Sequence, residues 1–158
     1  MCGVNFAVFF PLNIFVITDE GLTELGLYDK TIKKLQSNSN INIFNKVESD
    51  PSKSTLLKAF DEATDFKSTG VLGFGGGSSM DVAKLISLLL GSKQNIDTIW
   101  GVNNVKGPRI PLVLIPTTAG TGSEVTPISI ITILMFFYKF LYKRAPRPVG
   151  HIGFYMFL

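Results

Sequence analysis

Short runs of apolar, often β-branched residues recur along this chain, and segments of helical spacing separate them. Asn13–Thr18 (NIFVIT) is the first run, ends before Asp19, and reads as a buried strand. Gly21–Leu35 reads as a loop and a helix whose inward residues are Leu22, Leu25, Ile32 and Leu35, stopped by the Ser37–Asn40 polar cluster. Ile41–Phe44 is a second strand. Asp50-Pro51 marks a turn, because the residue before proline avoids helix. From Lys53 to Lys67, Leu56, Phe60 and Ala63 recur at spacings of three and four, the mark of an amphipathic helix. Gly70–Phe74 is a third strand, Ser79–Leu90 an apolar and therefore buried helix closed by Gly91, and Ile110–Ile115 a fourth strand ended by Pro116. Asn95–Arg109 between them is loop, and Ile128–Thr132 begins another strand.

Strands alternating with helices at this spacing predict βαβ units, hence an α/β fold with a Rossmann-like parallel sheet flanked by helices. Apolar residues make up 46% of the 158 and charged residues 17%, which excludes a disordered chain for most of this length and leaves enough material for one domain with a core. The net charge of +3 is unevenly placed. No acid follows Glu124, whereas Lys139, Lys143, Arg144 and Arg147 do; the other 11 cations face all 12 acids, a net of −1. The basic character therefore belongs to the C-terminal stretch, and a nucleic-acid-binding domain, which needs a clustered basic face, is not expected.

The strongest local signal is VLGFGGGSSMDVAK, Val71–Lys84. An apolar strand runs into three glycines and then a helix. Missing side chains let backbone approach a pyrophosphate, and the helix start offers unpaired N–H groups and a partial positive charge to phosphate. Ser78 is placed as the N-cap, with Asp81 three residues on in capping-box position and Lys84 a turn further. The spacing is not the G-x-G-x-x-G of the usual dinucleotide fingerprint, and a plain structural turn followed by a capped helix stays open as an alternative. By themselves, Asp81 reads as a cap and Lys84 as a solvated cation.

A second strand-to-loop passage is LVLIPTTAGTGSE, Leu112–Glu124. Thr117, Thr118, Thr121 and Ser123 offer hydroxyls, and Gly120 and Gly122 permit close approach. The alternative is a turn that bonds to itself. Two such loops at the carboxyl ends of successive parallel strands point to a shared crevice, where ligands of open α/β sheets bind.

GGGSSMDVAK (Gly75–Lys84) followed at this distance by PLVLIPTTAGTGSEVTP (Pro111–Pro127) resembles the iron-containing (group III) alcohol dehydrogenases, whose first domain carries GGGSxxDxAK and IPTTxGTGSE loops. Val16–Asp19 resembles the family's first strand and its acid, and Ser49–Ser52 its Asn-Pro turn with Asp in place of Asn. The resemblance implies the dehydroquinate synthase-like N-terminal fold and the family's activity, NAD- and metal-dependent hydride transfer between an alcohol and an aldehyde. It further implies that Gly75, Gly76, Gly77 and Ser78 hold the cofactor pyrophosphate and that Thr117, Thr118 and Thr121 line the adenine and nicotinamide side. Asp19 would accept from the ribose hydroxyls, favouring NAD over NADP, since a carboxylate repels a 2′-phosphate. Asp81 would sit toward the nicotinamide and substrate end. No catalytic residue is assigned.

The family's divalent metal, iron or zinc, is held by an aspartate and three histidines of a helical second domain. With one histidine, His151, and one cysteine, Cys2, this chain carries no such ligand set. The resemblance covers residues 13–132. Residues 1–12 form an atypical start, with Phe6–Phe10 as a candidate strand and no charged leader; residues 133–158 are an aromatic, basic stretch without a family counterpart. The expectation is a chain lacking the helical metal-binding domain, a truncated product or a faulty gene model. Three functions compete. They are the family's enzyme, a catalytically inactive nucleotide-binding fragment, and a membrane-surface fragment acting through Ile128–Tyr142, too short to span. A single cysteine fits a reducing, cytoplasmic setting.

Overall fold

The computed structural model describes residues 13–101, 104–133 and 152–157. Elements follow in the order β1 (Asn13–Ile17), α1 (Glu20–Glu24), α2 (Asp29–Gln36), β2 (Asn40–Phe44), α3 (Lys53–Asp65), β3 (Gly70–Gly75), α4 (Gly77–Ser92), β4 (Leu112–Pro116), β5 (Ile128–Ile133) and β6 (Ile152–Phe157). The first four strands form one parallel sheet in the order β2-β1-β3-β4.

Alternation along β1 explains the layers. Successive side chains of a strand point to opposite faces. Phe15 and Ile17 pack with Phe44, Leu56, Ala59, Ala63, Val82 and Leu85 under α3 and α4, while Ile14 and Val16 pack with Leu22, Tyr28, Ile32, Leu72 and Phe74 under α1 and α2. All these side chains are buried. Covered on both faces, β1 and β3 are apolar almost throughout, as central strands of a parallel sheet must be. Gly73 is what lets α4 lie so close. A Cβ there would stand 2.7 Å from the Ala83 Cβ and 2.8 Å from a Leu114 methyl.

The structure corrects four local expectations. The segment after β1 is two helices and not one. Gly26, at φ 62°, interrupts it, so Leu25 turns outward and is 71% exposed while Leu22 and Ile32 are buried as expected. Phe60 is only partly buried. Gly91 lies inside α4, which ends with left-handed Lys93 at φ 55°; Gly91 packs against Pro108–Arg109, where a Cβ would meet backbone at 2.7 Å. The loop after α4 contains a 3-10 turn, Ile96–Thr98.

Ile128–Ile133 does not join the four-stranded sheet. It pairs antiparallel with β6, from Ile128↔Phe157 to Ile133↔Ile152, and the Thr132 N–H donates to the Pro51 carbonyl at 2.8 Å. The first part of the Ile128–Tyr142 stretch is thus a strand. Residues 134–151, with His151 and the C-terminal cations, and residues 1–12, with Cys2 and the candidate strand Phe6–Phe10, lie outside the described residues. Among the described residues no helix is long and apolar enough to cross a membrane.

Candidate functional site

From β1 the chain steps to β2 on one side, then crosses back over β1 to β3 and continues to β4. The direction reverses between β1 and β3, and there the loops leaving the carboxyl ends diverge to open a crevice. Asp19 leaves β1 and the glycine turn leaves β3, so the two face each other. The second oxygen of Asp19, Oδ2, lies 3.3 Å from where a Cβ on Gly75 would stand. Its first oxygen accepts from the Leu22 N–H at 3.0 Å and caps α1. Asp19 is half-buried.

The threonine loop closes the other side. Pro116 pairs in register with Gly75, and the Thr117 N–H donates to the Gly75 carbonyl at 2.9 Å. A Cβ on Gly76 would lie 3.1 Å from the Thr118 hydroxyl, and one on Gly77 would lie 3.8 Å from the Thr121 side chain. Both loops therefore sit at one edge of the sheet, as the parallel reading requires. The cradle between them exists because residues 75–77 have no side chains to fill it. Gly75 is needed for its backbone too, at φ 156°.

The N-terminus of α4 differs from the sequence expectation. The N-cap is Gly76 and not Ser78, and no side chain caps the helix. Glycine has no oxygen to offer, and the helix begins one residue before Ser78, so Ser78 is in the first turn. The first bond of the helix is Met80 N–H to Gly76 carbonyl, at 3.1 Å. The N–H groups of Gly77, Ser78 and Ser79 precede it, directed toward the cradle end of the helix where an anion is stabilised by them and by the helix dipole. Thr117, Thr118 and Thr121 are exposed; Thr121 turns its methyl toward Gly77, and its hydroxyl accepts from the Ser123 N–H at 3.5 Å.

Asp81 and Lys84 behave unlike the rest. Both are buried, 7% and 4% exposed, and they pair at 2.9 Å across one turn of α4. Asp81 also accepts from the Ser123 hydroxyl and, at 3.0 Å, from the Ile130 N–H. Lys84 donates to the Ser123 hydroxyl at 3.2 Å, to the Thr126 carbonyl at 3.3 Å and to the Ile128 carbonyl. Lys84 is therefore a buried, fully engaged cation and not a solvated one, and Asp81 caps no helix. Ser123, one hydroxyl among four in sequence, is the member that points inward; only tertiary contact distinguishes it. No group of three or more His, Cys, Asp and Glu side chains that could hold a metal ion is found among the described residues.

A doubly wound parallel sheet, with a glycine turn and an uncapped helix start at its switch point, defines a Rossmann-like α/β domain. The family follows from comparison with known proteins. A sequence profile for "Iron-containing alcohol dehydrogenase" matches residues 6–139, and this chain belongs to that family. It is 38% identical over 119 residues to sulfoacetaldehyde reductase of Bilophila wadsworthia, covering 74% of this chain and 30% of that protein. It is 36% identical over 118 residues to the NAD-dependent methanol dehydrogenase of Bacillus methanolicus, covering 74% and 31%. The crystal structure of an iron-containing alcohol dehydrogenase from Thermotoga maritima superposes with a TM-score of 0.68 at 37% identity, over 77% of this chain and 34% of that one. The chain thus spans about a third of the length of these relatives. Its family is one of alcohol dehydrogenases, and its fold is that of the family's N-terminal Rossmann-like domain.

Proposed function

We propose that this chain is the NAD-binding portion of an alcohol dehydrogenase that moves a hydride between an alcohol and an aldehyde. The observation that carries this reading is the uncapped N-terminus of α4, set at the switch point behind a side-chain-free turn. Gly75, Gly76, Gly77 and Ser78 bind the pyrophosphate through backbone N–H groups, with the Ser78 hydroxyl beside them. Asp19 accepts from the adenosine ribose hydroxyls through the oxygen that α1 leaves unused. Thr117, Thr118 and Thr121 close over the opposite side and exclude water from part of the cleft. With NAD bound, its nicotinamide supplies the hydride acceptor.

A divalent metal is a different matter. Catalysis of this kind draws several kcal/mol from a Lewis acid at the alcohol oxygen, and a transition-metal site needs three or four nitrogen, sulfur or oxygen donors in fixed geometry. The donors within the described residues do not fit one. Asp81 is committed to Lys84, Ser123 and the Ile130 N–H, and Glu124 is exposed. Any metal ligands for the family's reaction come from outside these residues. The second reading, a nucleotide-binding fragment without turnover, is favoured by this donor count for the 158-residue polypeptide on its own.

Calorimetric titration with NAD and NADP tests the proposal. NAD should bind and NADP should bind more weakly, because the Asp19 carboxylate repels a 2′-phosphate at close range. Asp19→Gly should narrow that preference. Tighter binding of NADP by the unaltered chain would rule the assignment out.

A further inference from the structure

We propose that Asp81, Lys84 and Ser123 form a buried positioning lock that sets the threonine loop at its distance from the glycine turn, without any of the three touching the nucleotide. The inference rests on the NAD reading above only for its consequence on binding; the lock itself stands on geometry.

Burying two opposite charges is a poor way to stabilise a helix face, since well-packed apolar residues of similar volume do as well or better. Asp81 and Lys84 lie on α4 among Met80, Val82, Ala83, Leu85 and Ile86, every one buried, so an apolar pair would suit the position. What carboxylate and ammonium add is direction. All their partners outside the helix lie in one segment, 123–130, and those partners are the Ser123 hydroxyl, the carbonyls of Thr126 and Ile128 and the N–H of Ile130. Both groups are satisfied, so the network has one low-energy arrangement.

The loop needs such a tether. Residues 117–121 are exposed, Gly120 and Gly122 have φ of 86° and 64°, and a Cβ built on either would meet nothing within 4 Å. At its start the loop is fixed by the Thr117 N–H on the Gly75 carbonyl. At its end the lock holds Ser123, two residues after Thr121. Between these anchors Thr118 faces Gly76 and Thr121 faces Gly77. Because Asp81 and Lys84 belong to the same helix whose N-terminus forms the phosphate cradle, one rigid element fixes both walls of the cleft. Ser123 is 8% exposed, which places its hydroxyl in the lock and out of the cleft.

Ser123→Ala removes the hydroxyl shared by the two charges and leaves the direct 2.9 Å pair. The variant should stay folded with a modestly lowered melting temperature, while amides of residues 120–130 exchange faster and NAD binds about tenfold more weakly, the scale of one lost buried hydrogen bond. Ser123→Thr, which keeps the hydroxyl, should restore both. The double variant Asp81→Leu/Lys84→Met removes both charges together, avoiding an unpaired one, and should show the same two changes more strongly. Wild-type exchange rates in folded Ser123→Ala overturn the lock. If the unaltered chain binds no NAD, the NAD reading fails by itself, and the exchange rates still decide the lock: faster in Ser123→Ala supports it, unchanged refutes it.

Discussion

At the scale of single residues, the cleft depends on what Gly75 lacks. Its backbone lies at φ 156°, and an added Cβ would meet the Ser79 Oγ at 2.7 Å, the Ser79 Cβ at 2.8 Å and the Asp19 carboxylate at 3.3 Å. Gly75→Ala should therefore destabilise the domain by roughly 1–3 kcal/mol, the usual cost of a strained backbone, and should weaken NAD binding further by pushing Asp19 and the helix start apart. Chemical denaturation checks the first effect and titration the second. Gly76→Asp differs in kind. Its φ is −78°, which any residue adopts. The side chain would point at Thr118 and fill the anion position with a carboxylate, so the variant should stay folded while losing NAD. Comparable denaturation midpoints with abolished binding would bear this out; retained binding would remove the phosphate from this turn. The glycine run and its threonine partners were legible in the sequence as motifs. That Ser78 caps nothing was not, because α4 already begins at Gly77, its first bond running from the Met80 N–H to the Gly76 carbonyl.

At the scale of elements, α3 shows how a helix start is held in this fold. Ser52 is the N-cap and accepts from the Thr55 N–H at 3.2 Å. Glu48, just upstream, accepts from the Thr55 hydroxyl at 2.6 and 2.8 Å and from the Ser52 N–H at 3.0 Å. Partial burial pushes the Glu48 carboxyl up, but the hydroxyl and backbone donors together outweigh it and hold the group below the ordinary carboxylate range. A depressed folded pKa means stability that is present above the unfolded value and lost as pH falls through the folded one. Glu48→Gln should thus be less stable than the unaltered chain at neutral pH, by a modest amount since Glu48 is exposed. The difference should fade as pH drops below about 4. Thermal melts of both chains from pH 7 to pH 3 check this, and a gap that persists undiminished at pH 3 contradicts it. The sequence marked the turn at Pro51 and the helix beyond it. It read Gly21–Leu35 as a loop and one helix, where Gly26 at φ 62° separates two, and it read as plain loop the stretch that holds the 3-10 turn Ile96–Thr98.

At the scale of the whole molecule, the sheet order brings Asp19, the glycine turn and the threonine loop to one edge, although about forty residues or more separate each from the next in sequence. The 158-residue polypeptide should bind NAD, carry no stoichiometric iron or zinc after purification and form no NADH with simple alcohols, because among the described residues no three His, Cys, Asp or Glu side chains group to hold a metal ion and Asp81 is committed to Lys84, Ser123 and the Ile130 N–H. Metal analysis with an absorbance assay for NADH tests this. One tightly held metal per chain with alcohol-dependent NADH formation, abolished by Gly76→Asp, would show that the polypeptide is an enzyme by itself.

Local pattern alone determined the strands of the parallel sheet, most helix bodies, the α/β class and the two loops, since alternation, helical spacing and glycine placement are properties of neighbours in the chain, whereas the strand Ile152–Phe157 was not read from it. It also determined the family resemblance, which rests on contiguous motifs. Only the tertiary structure decided which face each element presents, where β5 pairs, and what Asp81, Lys84 and Ser123 do. A charged residue in a helix looks the same in sequence whether water or a partner from a distant loop surrounds it. The cost of burying a charge is met by groups some forty positions away, here the hydroxyl, carbonyls and N–H of residues 123–130.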